Sequence, residues 1–147
     1  MTVSEHPKVV ATVRRIGFAV FLIAHGTVHA GIWALPRPQG QQRPFDPSGS
    51  WLMGSEESLA ALLAIAATVI LVAGGSFLWA QVPGWRPLAV MGLAVSFVLM
   101  SLFFNPWFLP IQAVNAGLIV GVLRSSWPLT STVSKDRVSP SQVLVRP

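Results

Sequence analysis

Residues 14–36 read RRIGFAVFLIAHGTVHAGIWALP: two arginines, then an apolar run broken only by His25, Gly26, Thr27 and His29, closed by Trp33 and Pro36. At 1.5 Å per residue, a helix of about twenty residues crosses the ~30 Å hydrocarbon core of a bilayer. The stretch therefore reads as a membrane span over 16–35. Three more apolar segments follow, at 59–80, 88–104 and 108–123. His25 and His29 are the only ionisable residues inside any of the four, and an ionisable group at membrane depth is a functional-site hypothesis by default.

Composition supports the reading. The 147 residues are 52% hydrophobic and only 10% charged, against roughly 25% charged in a soluble domain. Mean hydropathy is +0.62. The expected fold is an all-α integral membrane four-helix bundle that consumes nearly the whole chain. A polar arm over 1–13 precedes it, as a loose segment or a short interfacial helix, and a polar tail over 125–147 follows, expected to be disordered. The absence of cysteine excludes disulfides, thiolate nucleophiles and Cys-ligated metal clusters. A net charge of +5 invites a nucleic-acid reading. The basic residues flank apolar segments, however, and form no patch with aromatics for stacking, so they read as topology signals and contacts to anionic membrane lipids.

A cleaved signal peptide ending near Val28-His29-Ala30 competes with a retained first helix, and Arg14-Arg15 superficially resembles a twin-arginine signal. Three further spans make retention the simpler account. Between the first two spans, 36–58 carries Pro36, Pro38, Pro44 and Pro47 with Gly40 and Gly49, which argues against a regular element. Its Trp51, Leu52 and Met53 are too apolar to stay in water and are expected to fold back onto the membrane surface or the bundle mouth. Ser55 before Glu56 and Glu57 predicts a helix start, a hydroxyl able to cap and carboxylates at the positive end of the helix dipole. Gln81 to Pro87 is a tight turn that makes spans two and three antiparallel neighbours, and Gly74-Gly75 permit close helix approach.

Lys8, Arg14, Arg15, Arg86, Arg124, Lys135, Arg137 and Arg146 all fall on one side of an even-numbered bundle. The positive-inside rule then places both termini in the cytoplasm and loop 36–58 outside the cell membrane. The six tryptophans fall at span ends, Trp33, Trp51 and Trp107 outside and Trp79, Trp85 and Trp127 inside, as an aromatic belt would.

His25 and His29 are four apart and share a helical face with Phe18, Leu22 and Trp33. By depth, His25 pairs with Asn115 of span four and His29 with Gln112, while Thr27, Thr68 and Ser96 lie close by. The structural reading is interhelical hydrogen bonding among His25, His29, Gln112, Asn115 and Thr68, worth about 0.5–2 kcal/mol per pair in a membrane. The same residues can form a pocket for a small polar or amphipathic ligand. A metal held by His25 and His29, a haem using one of them, and a proton relay are further readings. No Asp, Glu, Cys or third His within the spans completes a metal site, and three histidines in all are too few for a di-iron centre. No cofactor is named by the residues.

Ala24-His25-Gly26-Thr27-Val28-His29, Ser50-Trp51-Leu52-Met53-Gly54 and Phe104-Asn105-Pro106-Trp107 carry a likeness. On these motifs the chain resembles a family of small uncharacterised bacterial four-transmembrane-helix proteins, often loosely labelled permeases, over about residues 14 to 124. The resemblance implies the four-span fold and a role for His25, His29 and Asn105, and it brings no established activity. Function is expected to be non-enzymatic: an accessory or transport-associated membrane subunit, or a binder of a small hydrophobic ligand, with membrane lipids as partners and a homo-oligomer or larger membrane complex as a further expectation. The alternative is a haem- or metal-binding redox protein. A lone transporter is disfavoured, because four short spans rarely enclose a pathway unaided and no inverted repeat is evident.

Overall fold

A computed structural model describes residues 6–35 and 49–124, with side chains from residue 9. Four long helices follow one another: α1 (His6–His29), α2 (Glu57–Trp79), α3 (Trp85–Leu102) and α4 (Leu109–Arg124). Counting the turns that extend α1 to Ala34 and α4 back to Pro106, all four are long and apolar enough to cross a membrane. This is the pattern of a multi-pass membrane protein folded as a helical bundle. The expected tail and most of the expected loop, residues 36–48, lie outside the described residues.

Helix α1 starts at His6, well before the expected span start at Ile16. Nothing between His6 and Arg15 breaks a helix, because Pro7 sits in the first turn, where its missing N–H has no intrahelical partner to lose. At its other end α1 widens through one π-helical turn, Ala30–Ala34, closed by Leu35 N–H donating to the Ala30 carbonyl at 3.0 Å. Leu35 is then extended, as the residue before Pro36 must tend to be.

The loop before α2 contains more regular structure than its proline content predicts. β1 (Gly49–Ser50) pairs antiparallel with β2 (Gly54–Ser55), turning at Gly54 with φ +80°. Ser55 is committed to this ladder and does not cap α2. Glu56 is the N-cap, without a side-chain bond, and Glu57 occupies the first turn. The hairpin is stapled to α3: Ser50 Oγ donates to the Leu102 carbonyl at 2.7 Å and Trp51 Nε1 to the Ser101 carbonyl at 2.7 Å. Both carbonyls belong to the last turn of a helix, where intrahelical partners run out. Trp51 and Leu52, 72% and 62% exposed, project outward from this staple together with Met53.

The interior is layered along the bundle axis. On the Arg14 side, Ala19, Leu22, Leu71, Leu78, Leu93 and Val122 belong to one apolar cluster with Trp85 and Ala89. On the far side, Trp33, Ala60, Ala64, Leu99, Phe103 and Phe108 belong to a second with Met100. Trp33 and Trp85 are therefore buried in the two clusters, one near each end of the bundle. Trp51, Trp79 and Trp107 remain exposed. Asn105 accepts from Trp107 N–H at 3.1 Å and caps the 3₁₀ turn Pro106–Phe108 that leads into α4.

Close approach of α2 to its neighbours depends on glycine. A Cβ added at Gly75 would lie 2.8 Å from the Ala19 carbonyl oxygen and 2.7 Å from Ile23 Cγ1. At Gly92 it would lie 2.7 Å from Leu71 Cγ. By contrast α4 is lightly held: within the helix itself only Asn115 and Val122 are buried.

Candidate functional site: a polar layer above an apolar groove

Between the two apolar clusters lies a polar layer. His29, Ser96 and Asn115, on α1, α3 and α4, are each completely buried. Ser96 is the hub. Its Oγ lies 2.8 Å from His29 Nε2 and 3.5 Å from His25 Nε2, and it accepts from Asn115 Nδ2 at 2.7 Å. The Asn115 amide also faces the imidazole of His25. The structure thus brings His25, His29 and Asn115 together through a serine that sequence reasoning placed only by its depth.

The expected partnership of His29 with Gln112 is not formed. Gln112 Nε2 donates to Ser101 Oγ at 3.2 Å, and Ser101 Oγ in turn to the Phe97 carbonyl at 2.8 Å. The helical advance from Asn115 to Gln112 carries the glutamine toward the end of α3 and away from α1. Thr68 is at the expected depth but serves another seam: its hydroxyl is within 2.7 Å of the Gly26 carbonyl and 2.8 Å of the Ala64 carbonyl. Thr27 faces outward and bonds back to the Ala24 carbonyl at 2.8 Å.

Hydrogen-bond accounting leaves a remainder. A serine hydroxyl has one proton and two lone pairs, and whichever tautomer His29 adopts, its Nδ1 has no hydrogen-bond partner among the described residues. The same holds for Asn115 Oδ1, and both atoms are buried. An unsatisfied buried polar atom costs about 1–3 kcal/mol, so these two atoms are where the layer gains most from a further partner.

The histidines also belong to a column of rings. Ring centroids are 5.5 Å apart for Phe21 and His25, 5.0 Å for His25 and His29, 5.7 Å for His29 and Trp33, and 5.5 Å for Trp33 and Phe108. The π-turn sets this upper end, because His29 directly precedes it and Trp33 lies within it. No sequence pattern announces such a turn.

Beneath the layer, α1 and α4 do not close on each other. A groove of about 610 Å³ runs between Gly17, Phe18 and Phe21 of α1 and Val114, Leu118 and Gly121 of α4, with Arg14 and Val122 at its lower end. Its volume is that of a small-molecule site, ~300–1,000 Å³. Its upper end is Phe21, whose ring stacks on His25, and Val114, the neighbour of Asn115. The available signal for this groove in the sequence was glycine: Gly17 and Gly121 have no atom within 4 Å of an added Cβ, so packing does not require them.

Among the described residues of the polar layer, the metal-ligating side chains are the two imidazoles. Among the described residues no group of three or more His, Cys, Asp or Glu converges. Set against protein-family models, curated proteins and solved structures, the chain matches none.

Proposed function

We propose that this is a non-enzymatic multi-pass protein of the cytoplasmic membrane that binds a small hydrophobic or amphipathic ligand between α1 and α4, as an accessory or transport-associated subunit. The observation that supports the reading is the groove of about 610 Å³ that opens directly below the His25, His29, Ser96 and Asn115 layer. An apolar molecule gains from covering Phe18, Phe21 and Leu118, and the groove's apolar lining ends at Phe21 and Val114, just below the polar layer, which sets its depth. The charge distribution supports both termini in the cytoplasm: Arg14, Arg15, Arg86 and Arg124 lie on one rim, and Glu56 and Glu57 start α2 on the other. Reporter fusions after Gln42 and after the last residue test that orientation, and a cytoplasmic signal from Gln42 overturns it.

Mass spectrometry of protein extracted in mild detergent tests the ligand reading. Wild type is expected to retain one apolar molecule per chain, and the Gly17→Leu/Gly121→Leu double variant, which fills the groove, is expected to lose it while keeping its helical circular dichroism. Retention by the filled variant, or none by wild type, overturns the reading.

A redox or metal-binding role has one observation in its favour. The Nε2 atoms of His25 and His29 turn toward the same point, the Ser96 hydroxyl, which is the convergence a chelating pair requires. A Soret band or stoichiometric metal in purified protein supports that role. If His25→Asn is tolerated and neither signal is present, the histidines act as interhelical hydrogen-bonding groups; equal loss in His25→Asn and His25→Leu favours the imidazole-ligand role.

A further inference from the structure

We infer that the occupant of the α1–α4 groove is an anionic glycerophospholipid of the leaflet on the Arg14 side, its phosphate held at the Arg14, Arg15 and Arg124 rim and one acyl chain laid between the helices. This rests on the ligand reading above and names its class.

The first argument is charge. Arg14 lines the lower end of the groove. Arg15 follows it, and its Nε is buried with no hydrogen-bond partner among the described residues. Arg124 ends α4, beyond Gly121 and Val122 on the antiparallel wall. No carboxylate is available to these groups from the elements that build the groove. Neither α1 nor α4 contains Asp or Glu, and the acidic residues among the described ones are Glu56 and Glu57, at the start of α2 on the opposite rim. Guanidinium groups at a membrane surface without acidic neighbours select phosphate, which matches their planar fork of donors. Basic sites between helices at this level are recognised anionic-lipid sites.

The second argument is length. From Arg14 to Phe21 and from Val122 to Val114 the walls extend roughly 10–12 Å at 1.5 Å per residue. That is most of one leaflet, half of the ~30 Å hydrocarbon core. With its headgroup at Arg14, an acyl chain reaches Phe21 and ends under the polar layer, so the two levels of the site are used by different parts of the bilayer: phosphate below, hydrocarbon above. Gly17 and Gly121, whose missing side chains meet nothing, give the chain its width.

Native mass spectrometry in mixed micelles containing equal amounts of phosphatidylglycerol and phosphatidylcholine reads the inference. Wild type is expected to retain phosphatidylglycerol preferentially, Arg14→Gln to lower that preference about fivefold, the scale of one basic residue at an anionic surface, and Gly17→Leu/Gly121→Leu to lose both lipids. Retention of phosphatidylcholine equal to phosphatidylglycerol, or an Arg14→Gln variant with unchanged preference, overturns the anionic-lipid assignment while leaving the ligand reading intact. A dimer that separates on filling the groove, or a photo-crosslinker at Leu118 that captures residues 125–147, gives the groove to a second copy or to the chain's own tail and overturns it equally. Absence of retained lipid of either kind overturns the phospholipid assignment, and it fails the ligand reading as well only where no other apolar molecule is retained.

Discussion

The seam between α1 and α2 and the seam between α1 and α4 are built from the same residue types to opposite ends. In the first, Gly26 and Gly75 let backbones approach until an added Cβ would meet Leu71 Cβ at 3.0 Å or the Ala19 carbonyl at 2.8 Å. In the second, Gly17 and Gly121 face space with nothing within 4 Å. Glycine within a helix costs about 1 kcal/mol relative to alanine. Close packing repays that cost at Gly75, where dispersion is the main force between helices in lipid. At Gly121 no packing within the described residues repays it, and the wall it belongs to borders open room rather than a neighbouring helix.

The sharpest way to break this comparison is at Gly75. Gly75→Val forces α1 and α2 apart against a carbonyl oxygen that cannot move alone, and a loss of about 1–3 kcal/mol, the usual scale of overpacking, is expected in thermal or denaturant unfolding in detergent. An unshifted transition would mean the seam is looser than described. Next comes the polar layer that ties α4 to the bundle. Ser96→Ala removes the hub shared by His29 and Asn115, and about 1–2 kcal/mol should be lost, with α4 released first; faster hydrogen exchange across 109–124 than across α2 would show it. Uniform exchange in that variant would mean α4 does not depend on Asn115. The smallest effect sharpens the comparison from the other side. Gly121→Ala should be neutral or stabilise by up to about 1 kcal/mol, and a clear destabilisation would mean the groove wall is packed after all.

The four spans were legible because length and hydropathy alone decide them, and the boundaries moved by only a few residues except at the start of α1. Depth was legible too: the rise per residue put His25, Ser96 and Asn115 at one level. Rotation about each helix axis was not, since helices that are apolar nearly all round carry little amphipathic signal to fix which side faces a neighbour. That is why Gln112 was assigned to His29 when it reaches Ser101 instead, and why the sequence placed Trp33 at the outer and Trp85 at the inner interface by depth without showing that both rings turn into the bundle. The π-turn at Ala30–Ala34 and the staple of Ser50 and Trp51 onto α3 have no local signature, because each is decided by a partner element distant in the chain or by packing within the bundle.

That staple imposes an order of events during synthesis. Trp51 bonds to a carbonyl 50 residues further along the chain, which does not exist when Trp51 itself emerges. At a synthesis rate of about 5–20 residues per second, some 3–10 s must pass before its partner has been made. Throughout that interval the segment before α2, with the Ser50 hydroxyl and the Trp51 indole N–H unpaired, has no docking place on the protein. The arrival of α3 therefore closes a window of vulnerability: a protease or chaperone acting on this loop would distinguish a chain halted after α2 from one that has completed α3, and the loop reports whether the third span has gone in.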